Sequence, residues 1–384
     1  MTYKRKLFVL LFTLLICPMA SAVNPLIPAP PSISASSYLL IDAHSGEVLV
    51  ENNPDQKLPP ASLTKMMTSY IATHELDKGN VNLADKVRVS IKAWKTPGSR
   101  MYIREGTYVT LEDLLRGIII QSGNDASVAV AEYLAGSEDA FAGLMNQHAK
   151  RLGMTGTNFV NATGLPDENH YMTASDLAKM ARSIIVDHPT YYPIYSEKAF
   201  TYNNIRQPNR NKLLSRDASV DGLKTGHTEE AGYCLVASAV RDGMRLIAVV
   251  MSTDSEEARA TETQKLLTYG FRFYETHKLY SARQSLNEAK VWGGKADVFD
   301  LGVSEDLYIT IPRGQHAALS ASLDIDKQIM APIQQGSSFG NVTIQLHDQV
   351  IVQKPLVALQ SVDQAGFFKR FWDRIVLFFL SLIS

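Results

Sequence analysis

The chain has 384 residues, 45% of them hydrophobic and 20% charged, enough apolar material for more than one folded core. Its formal net charge of −1 provides no global field to draw a polyanion, which argues against a nucleic-acid partner. The nine histidines include no H-E-x-x-H pair, so no metal site is expected and no cofactor is implied.

Lys4-Arg5-Lys6 precedes an apolar run, Leu7–Cys17, and then Ala20-Ser21-Ala22. A basic start, a short apolar stretch and an A-x-A site define a cleaved signal peptide over residues 1–22. The run is too short to span about 30 Å of hydrocarbon. Export is therefore expected, and cleavage leaves Cys234 as the only cysteine, so no internal disulfide can form.

Residues 23–37 read as an extended, Pro-rich leader. Tyr38–Asp42 and Glu47–Val50 flank a His44-Ser45-Gly46 turn and predict a hairpin. Pro59 and Pro60 precede a predicted helix at Ala61–Met67. Thr110-Leu111-Glu112-Asp113 fits a capping box, and Leu111, Leu114, Leu115, Ile118 and Ile119 follow at helical spacing. Tyr233–Val240, Asp242-Gly243 and Arg245–Met251 predict a second hairpin. Ser255-Glu256-Glu257 then opens a helix running to about Tyr269. Helices mixed with hairpins predict an α+β domain over residues 38–283, with an antiparallel sheet flanked by helices. Short strands with turns between them predict a small all-β domain over residues 284–362.

Residues 366–384 differ from everything before them. Phe368, Phe371, Trp372, Ile375, Phe378, Phe379 and Leu382 recur at helical spacing, opposite Lys369, Arg370, Asp373 and Arg374. Basic residues on one face and Phe and Trp on the other suit a helix lying in a membrane interface. The uncharged run from Ile375 is too short to span a bilayer.

Three short motifs carry chemistry. In Ser62-Leu63-Thr64-Lys65, helical spacing puts the Lys65 amine beside the Ser62 hydroxyl, the arrangement of a serine nucleophile with a lysine base. Ser122-Gly123-Asn124 ends an apolar helix; Gly123 is expected to break it, Ser122 to relay a proton, and Asn124 to hold a carbonyl or orient Lys65. Lys224-Thr225-Gly226, followed by His227, precedes the strand at Tyr233. Lys224 is expected to anchor an anion and lower the Lys65 pKa, and Gly226 to admit a substrate backbone. Each motif alone is common. All three in this order match the signature of penicillin-binding proteins and class A β-lactamases.

The chain resembles low-molecular-weight penicillin-binding proteins of the D-alanyl-D-alanine carboxypeptidase type over nearly all of its mature length. The matching segments include Ser122–Ala126, Asp221–Thr228, Ala231-Gly232-Tyr233 and Asn209-Arg210-Asn211. Gly123 stands where β-lactamases usually carry Asp, and Glu168, the nearest stand-in for their deacylating Glu, lacks the surrounding pattern. The resemblance implies a β-lactamase/transpeptidase-like fold. It also implies removal of the terminal D-alanine from peptidoglycan pentapeptides ending in D-Ala-D-Ala through a Ser62 acyl-enzyme, with β-lactams as inhibitors. Backbone N–H groups of Ser62 and His227 would form the oxyanion hole. Lys224, Thr225 and Arg210 would hold the terminal carboxylate, and Ser122 would return a proton. The implied setting is the periplasmic face of the cytoplasmic membrane, with peripheral anchoring by the C-terminal helix. Two alternatives remain open on the motifs: a DD-endopeptidase on crosslinked peptidoglycan, and a non-catalytic wall- or β-lactam-binding protein.

Overall fold

The structure is a computed structural model that describes residues 27–381. The expected signal peptide and Leu382 lie outside the described residues.

Strands β1 (Ser37–Asp42) and β2 (Val48–Asn52) form the opening hairpin. A 3-10 turn at Ala61–Thr64 leads into α1 (Lys65–Asp77). Next come β3 (Lys86–Arg88), α2 (Ile91–Lys95) and β4 (Tyr108–Thr110). Helix α3 (Leu111–Arg116) starts at the expected cap, where Thr110 Oγ1 accepts from Asp113 N at 3.1 Å, and continues through a π turn at Gly117–Gln121. Helices α4 (Asn124–Ala135), α5 (Glu138–Arg151) and α6 (Ala174–Asp187) complete the helical layer. A hairpin of β5 (Ala199–Tyr202) and β6 (Ile205–Pro208) turns at Asn203-Asn204, both with positive φ, the conformation a two-residue hairpin turn favours. One turn of helix, α7 (Leu213–Arg216), precedes β7 (Val220–Thr228), β8 (Gly232–Arg241) and β9 (Met244–Thr253). Helix α8 (Glu256–Phe273) begins where Ser255 accepts from Ala258 N, with Glu256 and Glu257 favourably placed at its positive end.

One antiparallel sheet runs in the order β2-β1-β9-β8-β7. Period-2 alternation sends Leu246, Ala248 and Val250 of β9 toward α8, where Leu266 and Leu267 meet them. Ile247, Val249 and Met251 point the other way, into the core shared with α1, α4 and α6. Both faces are covered, so β8 and β9 are continuous apolar runs. Cys234 is buried in the helical-side core, as expected of a small core residue.

Two local expectations need correction. The segment Val220–Thr228, expected only as the approach to the strand at Tyr233, is itself the edge strand β7, with Lys224 opposite Val236 and Gly226 opposite Cys234. Its two glycines and its buried lysine hide the alternation that identifies strands. At the second motif the helix-ending residue in left-handed conformation is Ser122 (φ +66°), whereas Gly123 has φ −63°. A Cβ on Gly123 would lie 2.8 Å from Asp125 Oδ1 and 3.1 Å from Met101 N, so close packing excludes a side chain there.

The second domain contains β10 (Tyr274–Tyr280), β11 (Ser285–Lys290), β12 (Val298–Gly302), β13 (Leu307–Pro312), β14 (Leu319–Ile325), β15 (Ser338–Leu346) and β16 (Gln349–Ala358). The pair β10-β13 packs beside a sheet ordered β11-β12-β16-β15-β14. Phe299, Leu301, Val342, Ile344 and Leu356 are buried within it. Tyr274–Tyr280, assigned to the first domain by its sequence pattern, pairs instead with β13, His277 opposite Ile309. No turn or linker separates β10 from α8, so composition marks no boundary there. The terminal helix α9 (Phe367–Ser381) follows.

Asp42, fully buried at the end of β1, joins the two domains. Its Oδ1 accepts from His44 N at 2.9 Å and Ser45 N at 2.7 Å, and its Oδ2 accepts from Thr276 Oγ1 at 2.8 Å. Thr276→Val keeps the shape but strips one donor from a buried carboxylate, a loss of about 1–3 kcal/mol. The expected result is a melting temperature a few degrees lower by calorimetry; an unchanged transition would mean that the joint carries no stability.

Candidate active site

Pro59 and Pro60 stop the preceding segment, and Ala61 takes a positive φ of +47°, a costly conformation for a residue with a Cβ. The 3-10 turn that follows has about three residues per turn, which stacks Lys65 directly over Ser62. This replaces the expected α-helical start and brings the pair closer to eclipsed. Lys65 Nζ lies 3.0 Å from Ser62 Oγ, 2.7 Å from Asn124 Oδ1 and 2.6 Å from the Thr163 carbonyl. The Lys65 side chain is fully buried, and burial together with the nearby Arg210 guanidinium lowers its pKa to about 7.

The three contacts define what a neutral Lys65 can do. A neutral amine has two N–H donors and one lone pair. Donating to Asn124 Oδ1 and the Thr163 carbonyl spends both donors, leaving the lone pair for the Ser62 hydroxyl proton. The arrangement can deprotonate Ser62 without any other group.

The segments around this pair meet through tightly fitted backbone. Asn161 Oδ1 accepts from Thr163 N at 3.1 Å and Gly164 N at 2.7 Å, which turns the Thr163 carbonyl onto Lys65. Gly164 has φ +80°, and a Cβ there would overlap the Ala61 carbonyl oxygen. Asn124 uses both ends of its amide: Oδ1 faces Lys65, while Nδ2 donates to Pro97 O at 2.6 Å. Asp125, buried, accepts from the N–H groups of Met101 and Tyr102 at 3.0 and 2.9 Å.

Strand β7 forms the opposite wall. Lys224 is buried, with Nζ 2.9 Å from Ser122 Oγ and 3.1 Å from the Thr225 carbonyl. Burial, then Lys65, Arg210 and Arg259, push its pKa well below the usual lysine value. Arg210 adds to the lowering of the Lys65 pKa, and the mutual repulsion of Lys65 and Lys224 shows at Lys224. Gly226 lines the cavity and also has a packing role. A Cβ there would come within 2.8 Å of the Pro60 carbonyl, so its bareness seats β7 against the nucleophile turn. Thr225 and His227 border the cavity, and the His227 ring stacks on Tyr233 at 3.9 Å. Asn209 and Asn211 tie their loop to Glu197 O and Gly222 O, so that Arg210 between them projects to the cavity without an ion-pair partner among the described residues.

A cavity of about 610 Å³ thus brings Ser62, Ser122, Asn124, Thr225, Gly226, His227 and Arg210 together. Lys65 and Lys224 lie directly behind its wall, reached through Ser62 and Ser122. Two contributors escaped the sequence motifs. The Thr163 carbonyl carries no residue-type signal. Arg259 on α8 donates to Gly226 O at 3.2 Å and lies over the Tyr233 ring, linking that helix to β7. Glu168 is exposed and does not line the cavity. Among the described residues Glu256 is the one carboxylate lining it, and it pairs with Arg259 and Lys212.

The profile of the D-alanyl-D-alanine carboxypeptidase family matches residues 24–255, and that of the penicillin-binding protein 5 C-terminal domain matches residues 274–364. D-alanyl-D-alanine carboxypeptidase DacC of Escherichia coli strain K12 is 44% identical over 376 residues, covering 96% of this chain and 94% of that protein. DacA of Haemophilus influenzae is 42% identical over 361 residues, with 92% of each chain covered. Among solved structures, penicillin binding protein 5 from Haemophilus influenzae superposes with a TM-score of 0.84 at 42% identity, covering 88% of this chain and 100% of that one. Penicillin binding protein 6B from Escherichia coli gives 0.73 at 36% identity, covering 87% and 98%. With both profiles in register along the chain and this likeness over nearly its whole length, the protein belongs to the D-alanyl-D-alanine carboxypeptidase family of low-molecular-weight penicillin-binding proteins.

Proposed function

We propose that this serine hydrolase removes the terminal D-alanine from peptidoglycan pentapeptides, with Ser62 as nucleophile and Lys65 as base. The observation that carries the assignment is the Lys65 amine, 3.0 Å from Ser62 Oγ with both of its N–H donors committed elsewhere. In acylation Lys65 takes the Ser62 proton, and Oγ bonds to the carbonyl carbon of the penultimate D-Ala. The developing oxyanion is met by the Ser62 and His227 N–H groups, a contribution of about 3–4 kcal/mol per donor in comparable sites. Ser122, in contact with Lys224, passes a proton to the departing amine and is reprotonated with the proton that Lys65 took from Ser62, so Lys65 is neutral again; the C–N bond breaks and D-alanine leaves. Arg210 and Thr225 hold its carboxylate. Water then attacks the ester, again with Lys65 as base; the one carboxylate lining the cavity among the described residues, Glu256, is paired with Arg259 and Lys212. The outer edge of β7 is unpaired in the sheet, so substrate backbone can add to it as a further strand. A β-lactam presents the same acyl group and stops at the ester.

The protein is exported and works at the membrane surface, with α9 as an in-plane anchor. Its polar face is held by the second domain: Lys369 Nζ lies 2.6 Å from Asp297 Oδ1, and Asp373 Oδ2 accepts from Gly293 N at 2.7 Å. Phe368, Phe371, Trp372, Phe378 and Phe379 remain exposed, at 57% or more of their surface. No helix among the described residues is long and apolar enough to cross a membrane.

Four outcomes are expected. Residues 23–365 release free D-alanine from a D-Ala-D-Ala-ended peptide, and Ser62→Ala abolishes both release and labelling by fluorescent penicillin. Labelling without release would leave a binding role, and neither would remove the acyl-enzyme reading. The acylation rate of the wild type rises with pH through about 7 as Lys65 loses its proton, then levels. Arg210 disfavours that proton, so Arg210→Gln raises the Lys65 pKa and moves the rising limb to higher pH; a limb that stays in place would separate Arg210 from Lys65. The full chain sediments with phospholipid vesicles and the chain ending at 365 does not; equal sedimentation would place the membrane contact elsewhere.

A further inference from the structure

The Thr163 carbonyl that meets Lys65 belongs to a closed loop. Asn158 N donates to Tyr171 O at 2.9 Å and Tyr171 N returns to Asn158 O at 3.1 Å, which fastens the neck of residues 158–171. Asn146 of α5 holds Phe159 by its N–H at 2.9 Å and its carbonyl at 2.7 Å. Three buried side chains at the start of α1 reach into this loop. Thr68 Oγ1 donates to Ala162 O at 2.8 Å, Lys65 Nζ meets Thr163 O, and Thr64 Oγ1 lies 2.9 Å from His170 Nε2. The first two contacts end on main-chain carbonyls, which any residue supplies. The third ends on His170, the one loop side chain that hydrogen-bonds to the nucleophile turn among the described residues.

The surroundings of His170 fix its protonation. The residue is buried, with the Phe159 ring edge-on at 5.7 Å. Its Nδ1 faces the Val160 N–H at 3.5 Å, a long contact that only a lone pair can accept. This assigns the single proton of a neutral ring to Nε2, which donates to Thr64 Oγ1. A second proton would set Nδ1–H against Val160 N–H. Burial, opposed in part by Asp167 and reinforced by Lys65, accordingly lowers the His170 pKa to about 4. The ring is a neutral donor over the whole range in which Lys65, with a pKa of about 7, changes charge.

We propose that His170 is a positioning residue for the catalytic base: by its bond to Thr64 it latches the 158–171 loop onto the nucleophile turn and keeps water from the Lys65 amine. The inference rests on the reading of Lys65 as that base. Residues 162–164 are buried and cover the amine from the loop side, but the chain then runs out into solvent from Pro166 to Asn169. His170 is where it returns to the interior. Without the latch, the cover over Lys65 is tied to α1 only at Ala162 and at Thr163 itself. Burial is the first cause of the low Lys65 pKa, so water admitted beside Nζ favours the ammonium and raises that pKa toward the ordinary lysine value. His170 touches neither Ser62 nor the cavity; it acts through Thr64 and the loop.

The test follows acylation of the full chain by fluorescent penicillin against pH, in wild type and three variants. His170→Phe keeps a ring but removes the donor, Thr64→Val removes its partner at nearly the same shape, and His170→Gln carries an amide N–H in place of Nε2–H. His170→Phe and Thr64→Val are expected to move the rising limb upward by about one pH unit, a roughly tenfold loss of rate well below the limb, with the high-pH plateau within about threefold. His170→Gln is expected to keep the limb near its wild-type position. A loss of rate that is equal at every pH, with the limb in place, would mean that His170 only stabilises the fold and overturns the proposal. Unchanged profiles in both donor-less variants overturn it too. Should His170→Phe fail to fold, Thr64→Val decides the question by the same shift. A wild type whose acylation shows no rising limb defeats Lys65 as base and this inference with it, whereas a wild-type limb that neither variant moves leaves the base standing and removes only the latch.

Discussion

Burial of the Lys65 amine is the constraint on which the rest of the site depends. A charged ammonium removed from water is strongly disfavoured, so the group becomes a base near neutral pH, with a pKa of about 7. That holds only while no water reaches the amine and no carboxylate pairs with it. The structure meets both conditions by surrounding Nζ with a hydroxyl, an amide oxygen and a main-chain carbonyl, from residues 62, 124 and 163. Each acceptor is neutral and each comes from a different part of the chain. The catalytic domain is organised to bring these three segments to one point.

Bringing three backbones together demands space, and glycine and strained residues provide it. Gly164 passes under the Ala61 carbonyl, and Gly226 lies against Pro60. Ala61 and Ser122 hold positive φ without being glycines, so Ser62 and Ser122 sit beside and at strained positions. Strain of this kind survives only where the surroundings over-determine it. Here they do so through the packed core around α1 and through Asn124 and Asp125, which link the Lys65 site to the loop at 97–103. A side-chain rotation at Ser62 or Lys65 is therefore opposed by the fold itself, which keeps the two side chains in register.

Away from the site, polar contacts settle how the parts are oriented. Buried Asp42 joins β1 to β10 through Thr276, and the charged face of α9 meets Asp297 and Gly293 of the second domain. Turning that polar face inward leaves the aromatic face outward. A helix docked by its own apolar face would have reversed this.

The sequence by itself determined the elements whose cause is local. The hairpins at Gly46 and Asp242-Gly243, the caps at Thr110 and Ser255, and the continuous apolar runs of β8 and β9 follow from turn chemistry, capping and periodicity. The pairing of Ser62 with Lys65 was also legible, because a three-residue spacing on a helical turn is a local fact, and the order of the three motifs carried the family. Tertiary structure alone decided what depends on distant partners. Strand β7 exists because β8 pairs with it, although its own pattern does not alternate, and β10 belongs to the second domain because β13 is its partner. The Thr163 carbonyl on Lys65 and Arg259 on Gly226 are contacts between segments far apart in the chain. Residue type says nothing about a main-chain carbonyl, and an arginine on a helix looks like any solvated charge until the strand it supports is in place.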